Sequence, residues 1–463
     1  MNLPFRLHSS KSLFFTSIRC YKVAKKEKNL LALTHRGLIQ EIFPSDDVDK
    51  VASYLLEKPR TVYAGFDPTA SSLHVGNLLI LISLIHAQRG GHRAIALIGG
   101  ATGRIGDPSG KKEERSLLSE ETVEKNVEGI SQNIQNIFNN YKKYFSHKQE
   151  ELEPLILLDN DNWYRKMNVV DFMTNVGRHM RVCRMLSRQN VKSRLENDQG
   201  FSFTEFSYQT FQAYDWLYLL QNYDCRFQIG GSDQMGNIYA GHEFISRYYS
   251  NSKKSEVFGI TIPLVTTDSG EKFGKSEGNA VWLSKDLTTP YELYQFFLRQ
   301  TDQQAAKLLP LFTFRPLKEI NDLIESGTVR KMQSALAEDI TLLVHGQEGL
   351  EKALKTTQII FHNDLNALSE INALDLKDIF KQAPYIRLLY ENGISVLDLA
   401  KKINCFRSEA DAIRVVSAGG FYINHERKSN IDEIILPEYQ ILKNNVSLVR
   451  VGKRNYFIIE WTL

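Results

Sequence analysis

The chain has 463 residues, which at roughly 150 residues per domain is enough for about three domains. Apolar residues make up 42% of it and charged residues 24%, a composition typical of a folded protein with a large core, which excludes a mainly disordered chain. No run approaches the ~18 uninterrupted apolar residues that a membrane-spanning helix needs, so we expect no membrane partner. The four cysteines form no C-x-x-C pair, which argues against a disulfide scaffold and a cysteine metal site.

The N-terminal segment, residues 1–28, differs from the rest of the chain in charge. Its first 26 residues contain no acidic residue and six basic ones: Arg6, Lys11, Arg19, Lys22, Lys25 and Lys26. Taking these six charges from the net +3 leaves −3 for the remainder, so bulk charge does not favour nucleic-acid binding. The basic, acid-free composition is typical of a mitochondrial presequence and predicts the mitochondrial matrix. The alternative is a basic tail without a targeting role.

Short apolar runs alternate with helical patterns between residues 61 and 267. We predict strands at 61–66, 93–98, 155–158, 226–229 and 259–265. We predict helices at 78–89, 120–138, 169–181, 208–220 and 235–248. This alternation predicts an α/β fold with a parallel sheet covered by helices, in which ligands bind at the carboxyl ends of strands near a switch in strand order.

The C-terminal part changes in pattern. Residues 290–361 are almost wholly helical in pattern, and residues 373–384 are expected to form a linker. From residue 385 onward we predict helices followed by strands at 420–424, 447–451 and 456–461.

The first candidate site lies where the first predicted strand meets the next helix. Asp67 follows the strand, and His74, Gly76 and Asn77 fall at the helix start. A helix N terminus offers free N–H groups and partial positive charge to a phosphate, and a glycine lets a flat ligand approach the backbone. Capping and packing alone are the alternative interpretation.

Two glycine-rich loops carry cations that suit an anionic ligand. The loop after the second predicted strand contains Lys111 and Arg115, and the loop at residues 270–278 contains Lys272 and Lys275. Neither loop has the G-x-x-x-x-G-K-[ST] spacing of a P-loop. An ordinary glycine turn or an exposed basic turn is the alternative.

Polar side chains lie on the predicted helix at 208–220 and directly after the predicted strand at 226–229, two elements that are otherwise apolar. Tyr208, Gln212 and Asp215 are spaced four and three residues apart, so they share one helix face. Asp233 and Gln234 follow the next predicted strand. A polar stripe on an aromatic helix is either solvated or faces a polar ligand, and the sequence leaves both open.

In this order, the segments resemble a family of class I aminoacyl-tRNA synthetases, the bacterial and organellar type of tyrosyl-tRNA synthetase. The resemblance runs from about residue 31 to the C terminus. Its most specific segments are Gly65-Phe-Asp-Pro-Thr, His74-Val-Gly-Asn, Gly99-Gly-Ala-Thr-Gly, Gly106-Asp-Pro-Ser-Gly-Lys-Lys, Phe203-Thr-Glu-Phe-Ser-Tyr, Gln228-Ile-Gly-Gly-Ser-Asp-Gln and Lys272-Phe-Gly-Lys-Ser.

Two of these segments are similar to the class signatures but depart from them. His74-Val-Gly-Asn resembles the HIGH signature, with Asn77 in place of the second histidine. Lys272-Phe-Gly-Lys-Ser resembles the KMSKS loop, with Phe-Gly in place of Met-Ser. Asparagine still supplies a hydrogen-bond donor, so we expect both departures to be tolerated.

The resemblance implies an α/β architecture in several parts. After the presequence, it implies a Rossmann-like class I synthetase catalytic domain at residues 29–289 and an α-helical anticodon-binding domain at 290–372. A linker at 373–384 then leads to a small α+β S4-like RNA-binding domain at 385–463. It also implies a homodimer.

The implied activity is that of a tyrosine–tRNA ligase. L-Tyrosine and ATP would give tyrosyl-adenylate and pyrophosphate, and the tyrosyl group would then pass to the 3′ end of tRNA(Tyr). Mg²⁺ would accompany ATP, with no prosthetic group and no dedicated protein metal site. The tyrosine carboxylate is already ionised at neutral pH, so the first step needs no general base.

The resemblance also implies residue roles. His74 and Asn77 would contact phosphate, and Lys111, Arg115, Lys272 and Lys275 would hold the departing pyrophosphate. ATP would bind at Asp67, Gly76, Lys275 and Asp233, with Asp233 on the ribose.

The implied amino-acid pocket consists of Tyr63, Asp107, Tyr208, Gln212, Asp215 and Gln234. Tyr63 and Asp215 would bind the substrate hydroxyl, and Asp107, Tyr208 and Gln212 its ammonium group. Because phenylalanine would leave the hydroxyl partners unpaired, such a pocket rejects it.

The segment 406–425 resembles the S4-type RNA-binding module, and Arg407, Arg414, Arg427 and Lys428 are its candidate tRNA contacts. The alternative is a module that packs against the rest of the protein and binds no RNA.

Two other functions stay open for the chain. One is a structural RNA-binding protein such as an intron-splicing cofactor, which the intact signatures disfavour. The other is the tryptophanyl relative, which Tyr63 and Asp215 disfavour.

Overall fold

The computed structural model describes residues 30–45, 48–109, 118–146, 152–195, 201–266, 273–276, 279–328, 330–362, 368–370, 376, 383–452 and 455–462. The chain divides into two compact units. The first unit comprises Met1–Thr288 and Phe296–Gly346, and the second comprises Thr289–Gln295 and Gln347–Leu463.

The first unit is built on a six-stranded sheet. Its strands are β1 (Glu41–Phe43), β2 (Thr61–Phe66), β3 (Arg93–Ile98), β4 (Ile156–Asp159), β5 (Cys225–Gly231) and β6 (Phe258–Ile262). The strand order is β1-β6-β5-β2-β3-β4, and all neighbours are parallel except β1, which is antiparallel to β6. Nearly every residue of β2, β3, β5 and β6 is buried, as expected for a parallel sheet covered on both faces.

Helices and a small hairpin complete the first unit. The helices before residue 250 are α1 (Val48–Glu57), α2 (Val75–Arg89), α3 (Thr102–Ile105), α4 (Glu120–Asn140), α5 (Asp161–Tyr164), α6 (Val169–Asn175), α7 (Val182–Leu186), α8 (Gln189–Leu195), α9 (Phe203–Tyr223) and α10 (Met235–Tyr248). Two-residue strands, β7 (Lys275–Ser276) and β8 (Asn279–Ala280), form an antiparallel hairpin. Later helices are α11 (Pro290–Leu298), α12 (Asp302–Phe312), α13 (Leu317–Glu325) and α14 (Lys331–His362), of which α11 and α14 belong partly to the second unit.

The boundary between the units falls within the helical segment. α14 leaves helical geometry at Gly346, where φ is 69° and ψ is −173°, a conformation that glycine adopts without steric penalty. The predicted all-helical segment 290–361 is therefore largely helical, but its residues divide between the two units: 296–346 belong to the first unit, and 290–295 and the residues after Gly346 belong to the second. The predicted domain boundaries stay predictions.

The strand order places a crevice in the middle of the sheet. From β2 the chain moves outward through β3 to β4, and from β5 it moves the other way to β6. The order therefore reverses between β2 and β5, which is where open α/β sheets bind ligands.

The second unit is a smaller mixed sheet that packs against helices. Its strands are β9 (Tyr385–Leu389), β10 (Phe421–Ile423), β11 (Glu426–Lys428), β12 (Val446–Val451) and β13 (Asn455–Thr462), in the order β11-β10-β12-β13-β9. Its helices include α15 (Val396–Lys402), α16 (Glu409–Ser417) and α17 (Pro437–Gln440). One sheet face packs Phe421, Val449 and Ile459 into a cluster with α15 and α16. Leu448 and Ile458 join a second cluster, with Ile359 of α14.

Most predicted elements of the first unit are confirmed. The strands at 61–66 and 93–98 and the helix at 235–248 have the predicted bounds. The single helix predicted at 169–181 is wrong, because α6 ends at Asn175 and a 3₁₀ turn follows at Gly177–His179. The helical start predicted at residue 385 is also wrong, since β9 pairs there in parallel with β13. The predicted linker lies almost wholly outside the described residues.

No helix among the described residues is long and apolar enough to cross a membrane.

Candidate active site

A cleft of about 1000 Å³ opens at the reversal of strand order in the first unit. It is lined by residues that follow the carboxyl ends of β2, β3, β4 and β5 and by one face of α9. The cleft brings together Tyr63, Asp67, His74, Gly76, Asn77, Asp107, Tyr208, Gln212, Asp215, Asp233 and Gln234. These were separate candidates in the sequence. Lys111, Arg115 and Lys272 lie outside the described residues, as does the side chain of Lys275.

The N terminus of α2 forms one rim of the cleft. The Asn77 side-chain oxygen accepts a hydrogen bond from the backbone N–H of His74 at 3.1 Å, which closes the first turn of the helix. A Cβ on Gly76 would lie 2.8 Å from the His74 ring, so only glycine lets that ring lie over the turn. Asn77 thus keeps its amide N–H groups as donors while its oxygen caps the helix.

The β7–β8 hairpin is attached to this helix start. Val75 N–H donates to the Val281 carbonyl at 2.9 Å, and Val281 N–H donates to the Gly274 carbonyl at 2.8 Å. Gly274 has φ of 80°, and a Cβ there would lie 3.2 Å from the Val75 Cβ. A glycine is therefore suited to this position, where the class signature has serine.

Phe273 anchors the same hairpin on its other side. Its side chain is 3% exposed and packs against Phe296 and Phe312, with ring centroids 5.0 and 6.1 Å away. The phenylalanine that replaces the methionine of the class signature thus fills an aromatic cluster. Together, the contacts of Phe273 and Gly274 bring the backbone of Lys275 to the rim of the cleft.

Asp215 lies on the face of α9 that forms the floor of the cleft. It is 2% exposed, and its two oxygens accept hydrogen bonds from Asn160 Nδ2 and Trp163 Nε1, both at 3.0 Å. Burial raises the pKa of its carboxyl to about 7, while hydrogen bonds from Asn160, Trp163 and Tyr164 act in the opposite direction. Solvent exposure, the alternative interpretation of this polar stripe, is therefore wrong at Asp215.

The hydroxyl of Tyr63 lines the same cleft. Tyr63 is 1% exposed, and its oxygen has no hydrogen-bond partner among the described residues. Burial and the nearby charge of Asp215 raise its pKa above the usual value, so the hydroxyl stays protonated. A buried hydroxyl without a protein partner is costly unless a ligand supplies one.

A second carboxylate, Asp67, follows β2 and accepts hydrogen bonds from α3 and α9. One of its oxygens accepts from Thr102 Oγ1 at 2.7 Å, and the other accepts from the Tyr208 hydroxyl at 2.8 Å. Thr102 Oγ1 in turn accepts from Asn160 Nδ2 at 3.0 Å. These hydrogen bonds connect Asp215, through Asn160 and Thr102, to Asp67.

Asp107 forms a third carboxylate group in the cleft. Its oxygens accept from Gln234 Nε2 at 2.9 Å and from the Ser109 backbone N–H at 3.0 Å. Asn237 of α10 also lies 3.3 Å from it. Gln234 and Asp107, which are far apart in the sequence, are thus direct neighbours.

The sequence analysis missed the residues that hold these carboxylates. Asn160 and Trp163 belong to the segment Asp159-Asn-Asp-Asn-Trp, which follows a predicted strand end and was not singled out. Because ligands bind at the carboxyl ends of parallel strands, an aromatic residue and several amides at such an end could have been recognised as site candidates. Thr102 and Asn237 carry no comparable signal.

Comparisons with known proteins agree with this geometry. The family model described as "tRNA synthetases class I (W and Y)" matches residues 56–362. The mitochondrial tyrosine–tRNA ligase of Drosophila melanogaster is 50% identical over 442 residues, which is 94% of this chain and 95% of that protein. The human mitochondrial tyrosine–tRNA ligase is 44% identical, over 93% of this chain and 91% of that protein. The chain belongs to the class I tRNA synthetases of the tryptophan and tyrosine group.

Solved structures give the same result for the fold. A C-terminally truncated Aspergillus nidulans mitochondrial tyrosyl-tRNA synthetase superposes with a TM-score of 0.67 at 30% identity, covering 77% of this chain and 100% of that one. The family and the α/β fold class predicted from the motifs are confirmed.

The candidate RNA contacts of this synthetase lie in its second unit. Arg407 and Arg427 are exposed, and Arg414 is exposed and ion-paired with Asp411. Lys428 does not fit the prediction: it is 3% exposed, and its Nζ lies 2.6 Å from Glu433 and 2.9 Å from Glu426. Its position on β11 turns it toward the buried face, so it is not available to an RNA backbone.

The raised pKa of Asp215 makes stability depend on pH. The folded state binds this proton more tightly than the unfolded state does, so stability falls as pH rises from about 4 to about 7. Between pH 5 and pH 7.5 we expect the free energy of unfolding of wild type to fall by about 2–3 kcal/mol more than that of Asp215→Asn, because the asparagine cannot titrate. Equilibrium denaturation of both proteins at the two pH values measures this difference, and parallel pH profiles would contradict it.

Proposed function

We propose that the chain activates tyrosine with ATP and transfers it to tRNA(Tyr) in mitochondria. The proposal rests on two buried groups that line the same cleft of a class I synthetase. One is the carboxylate of Asp215, and the other is the hydroxyl of Tyr63, which has no hydrogen-bond partner among the described residues. The family alone covers both tryptophan and tyrosine enzymes. The names of the curated relatives support the tyrosine enzyme.

The two hydroxyl partners account for the choice of tyrosine. The ionised Asp215 accepts a hydrogen bond from the substrate hydroxyl, and Tyr63 OH supplies a second polar contact. Phenylalanine leaves both groups buried and unpaired, which is costly. A tyrosyl-tRNA synthetase is itself the established example of this discrimination, so its roughly 10⁵-fold preference for tyrosine is a reference value and not a result for this chain.

The polar groups at the other end of the pocket suit an ammonium group. Asp107 supplies negative charge, and Tyr208 and Gln212 supply oxygens on the same face of α9. Tyr208 is oriented by its hydrogen bond to Asp67, and Gln234 holds Asp107. With its ammonium and hydroxyl groups bound at opposite ends, the amino acid has its carboxylate left to react.

The first chemical step is an in-line displacement at phosphorus. A tyrosine carboxylate oxygen bonds to the α-phosphorus, the bond to the bridging oxygen breaks, and pyrophosphate leaves with the electron pair. No proton is transferred, so catalysis consists of positioning and of stabilising charge on the phosphates. In the second step, a ribose hydroxyl of the tRNA attacks the adenylate carbonyl carbon, and the bond from that carbon to the phosphate oxygen breaks. AMP leaves with the electron pair, and the hydroxyl proton passes to the AMP phosphate or to solvent.

The phosphates are placed at the rim formed by α2 and the hairpin. His74 and Asn77 donate at the helix start, and the glycine at position 76 leaves the backbone open to the nucleotide. Asp67 and Asp233 contact ATP, with Asp233 on the ribose. Lys111, Arg115, Lys272 and Lys275 neutralise the leaving pyrophosphate, and Mg²⁺ enters with ATP as part of the substrate.

Residues 1–28 act as the presequence, which lies outside the described residues. Their basic composition, with no acidic residue before Glu27, supports import into the matrix. The domain boundaries proposed from the sequence follow the same scheme: catalytic domain to 289, helical domain to 372 and S4-like domain from 385. Arg407, Arg414 and Arg427 are its proposed tRNA contacts.

The enzyme is a homodimer in this proposal. Apolar side chains of α6 and of the start of α9 are exposed: Val169 at 74%, Val170 at 65% and Phe203 at 73%. Phe172 of α6 stacks on Phe211 of α9 at 4.7 Å, which holds these two helices together. Exposed apolar side chains on adjoining helices mark an interaction surface, and a second copy of this chain is the occupant we assign to it.

ATP–pyrophosphate exchange with tyrosine, tryptophan and phenylalanine tests the activity directly. We expect exchange with tyrosine far above the other two. In Asp215→Ala, kcat/KM for tyrosine should fall about 10- to 150-fold, because one charge-assisted hydrogen bond is lost. The value for phenylalanine should change much less.

A matched control is Glu121→Ala, which removes an exposed carboxylate outside the cleft and should leave the tyrosine-to-phenylalanine ratio unchanged. Preferential exchange with tryptophan in wild type would overturn the tyrosine assignment. An unchanged ratio in folded Asp215→Ala would remove Asp215 from the pocket.

Sedimentation of Phe203→Asp tests the dimer. A charge in an apolar interface is costly to bury, so this variant should be mainly monomeric at concentrations where wild type is dimeric. Leu56→Asp, at an exposed apolar residue of α1, is the control and should stay dimeric. A dimer that survives Phe203→Asp unchanged would place the interface elsewhere.

A further inference from the structure

Four side chains on the sheet of the second unit form a row that alternates arginine with tyrosine. Tyr422 of β10 pairs with Arg427 of β11 on one side and with Arg450 of β12 on the other. Arg450 pairs in turn with Tyr456 of β13. Directly paired residues project to the same face of a sheet, so all four side chains lie on one face, in the order Arg427, Tyr422, Arg450, Tyr456.

The row has a fixed geometry. The guanidinium carbon of Arg450 lies 4.0 Å from the ring centroid of Tyr422, which is a close cation–π contact. Arg427 is exposed, and its Nη2 donates to the Ala418 carbonyl at 2.9 Å. Tyr422 and Arg450 are partly exposed, whereas Tyr456 packs against the apolar cluster around Leu448. The polar row therefore begins where that cluster ends.

The two arginines of the row differ in pairing from five other cations of this unit. Lys401, Lys402, Arg387 and Arg414 each lie within 4 Å of a carboxylate, and the buried Lys428 lies near two. Within the part of the chain that the structure describes, neither Arg427 nor Arg450 forms such an ion pair. The row thus concentrates positive charge that no carboxylate among the described residues neutralises.

Such a surface suits a ligand that is both anionic and flat. Guanidinium groups bind phosphate oxygens through paired N–H donors, and bases stack on tyrosine rings and on guanidinium planes. A base inside a duplex is covered by its neighbours on both faces, so only an unpaired base can stack in this way. A nucleotide in a loop, bulge or single strand of RNA meets both requirements.

We propose that the row Arg427–Tyr422–Arg450 binds an unpaired nucleotide of the tRNA, with its base on the Tyr422–Arg450 pair and its phosphate on the guanidinium groups. This rests on the proposed function for the identity of the RNA. It adds Tyr422 and Arg450 to the tRNA contacts and assigns the binding to a sheet face. Arg427 is the one candidate from the sequence that lies on this face.

The test compares two kinds of contact in the full-length chain with transcribed tRNA(Tyr). Tyr422→Leu removes the stacking surface and should weaken tRNA binding about tenfold without changing its salt dependence. Arg450→Gln removes one phosphate contact and should weaken binding while lowering the slope of log K against log salt by about 0.7. Tyr422→Phe keeps the ring and should bind nearly as well as wild type.

Two matched controls lie in the same unit. Arg387→Gln removes an exposed arginine of β9 that is already ion-paired with Glu460. Tyr439→Leu removes a tyrosine that is 70% exposed and lies outside the row. Both should change the dissociation constant for tRNA by less than twofold.

Tyrosine-dependent ATP–pyrophosphate exchange separates this proposal from the proposed function. Exchange needs no tRNA, so it should stay within twofold of wild type in every row variant, which also shows that the variants are folded. If wild type lacks exchange, the proposed function fails. If exchange is intact and Tyr422→Leu and Arg450→Gln bind tRNA like the controls, the row proposal is overturned.

Discussion

The carboxylate of Asp215 is the group on which the rest of the cleft depends. It is 2% exposed and lies near Tyr63, Trp163 and Tyr164, so its charge is unfavourable unless neighbouring groups hold it. Asn160 and Trp163 each donate one hydrogen bond to it, yet burial still raises its pKa to about 7. In the proposed function, a substrate hydroxyl adds a further donor and favours the ionised form. Tyrosine binding would then stabilise a charge that the protein alone holds only in part.

The same network ties the amino-acid pocket to the nucleotide rim. Asn160, which holds Asp215, also donates to Thr102, and Thr102 donates to Asp67. Asp67 in turn orients Tyr208. The ends of β2, β3 and β4 and the middle of α9 are thus fixed by one set of hydrogen bonds. The groups proposed to select the amino acid and those proposed to contact ATP keep a common geometry for this reason.

Much of this site could be predicted from the sequence, because its residues follow local rules. β2 has the predicted bounds, since a run of apolar residues closed by Asp67-Pro68 has few other interpretations. Tyr208, Gln212 and Asp215 share a helix face by spacing alone. Whether that face is solvated or buried depends on what packs against it, and only the structure shows Asp215 beside Trp163.

The parts that could not be predicted depend on contacts between distant residues. β9 forms by parallel pairing with β13, more than 70 residues later, as its register Arg387 with Glu460 shows. Lys428 matched an RNA-binding motif, but the register of β11 turns it toward Glu433 and the interior. The row around Tyr422 likewise exists only once three strands are aligned.

Calorimetry of tyrosine binding at pH 6, in two buffers with different ionisation enthalpies, tests the central role of Asp215 most directly. With a pKa of about 7, the empty pocket is mostly protonated at pH 6, and the hydroxyl requires the ionised carboxylate. Wild type should therefore release close to one proton for each tyrosine bound, and Asp215→Asn should release none. Binding to wild type without proton release, or release that persists in Asp215→Asn, would contradict the account.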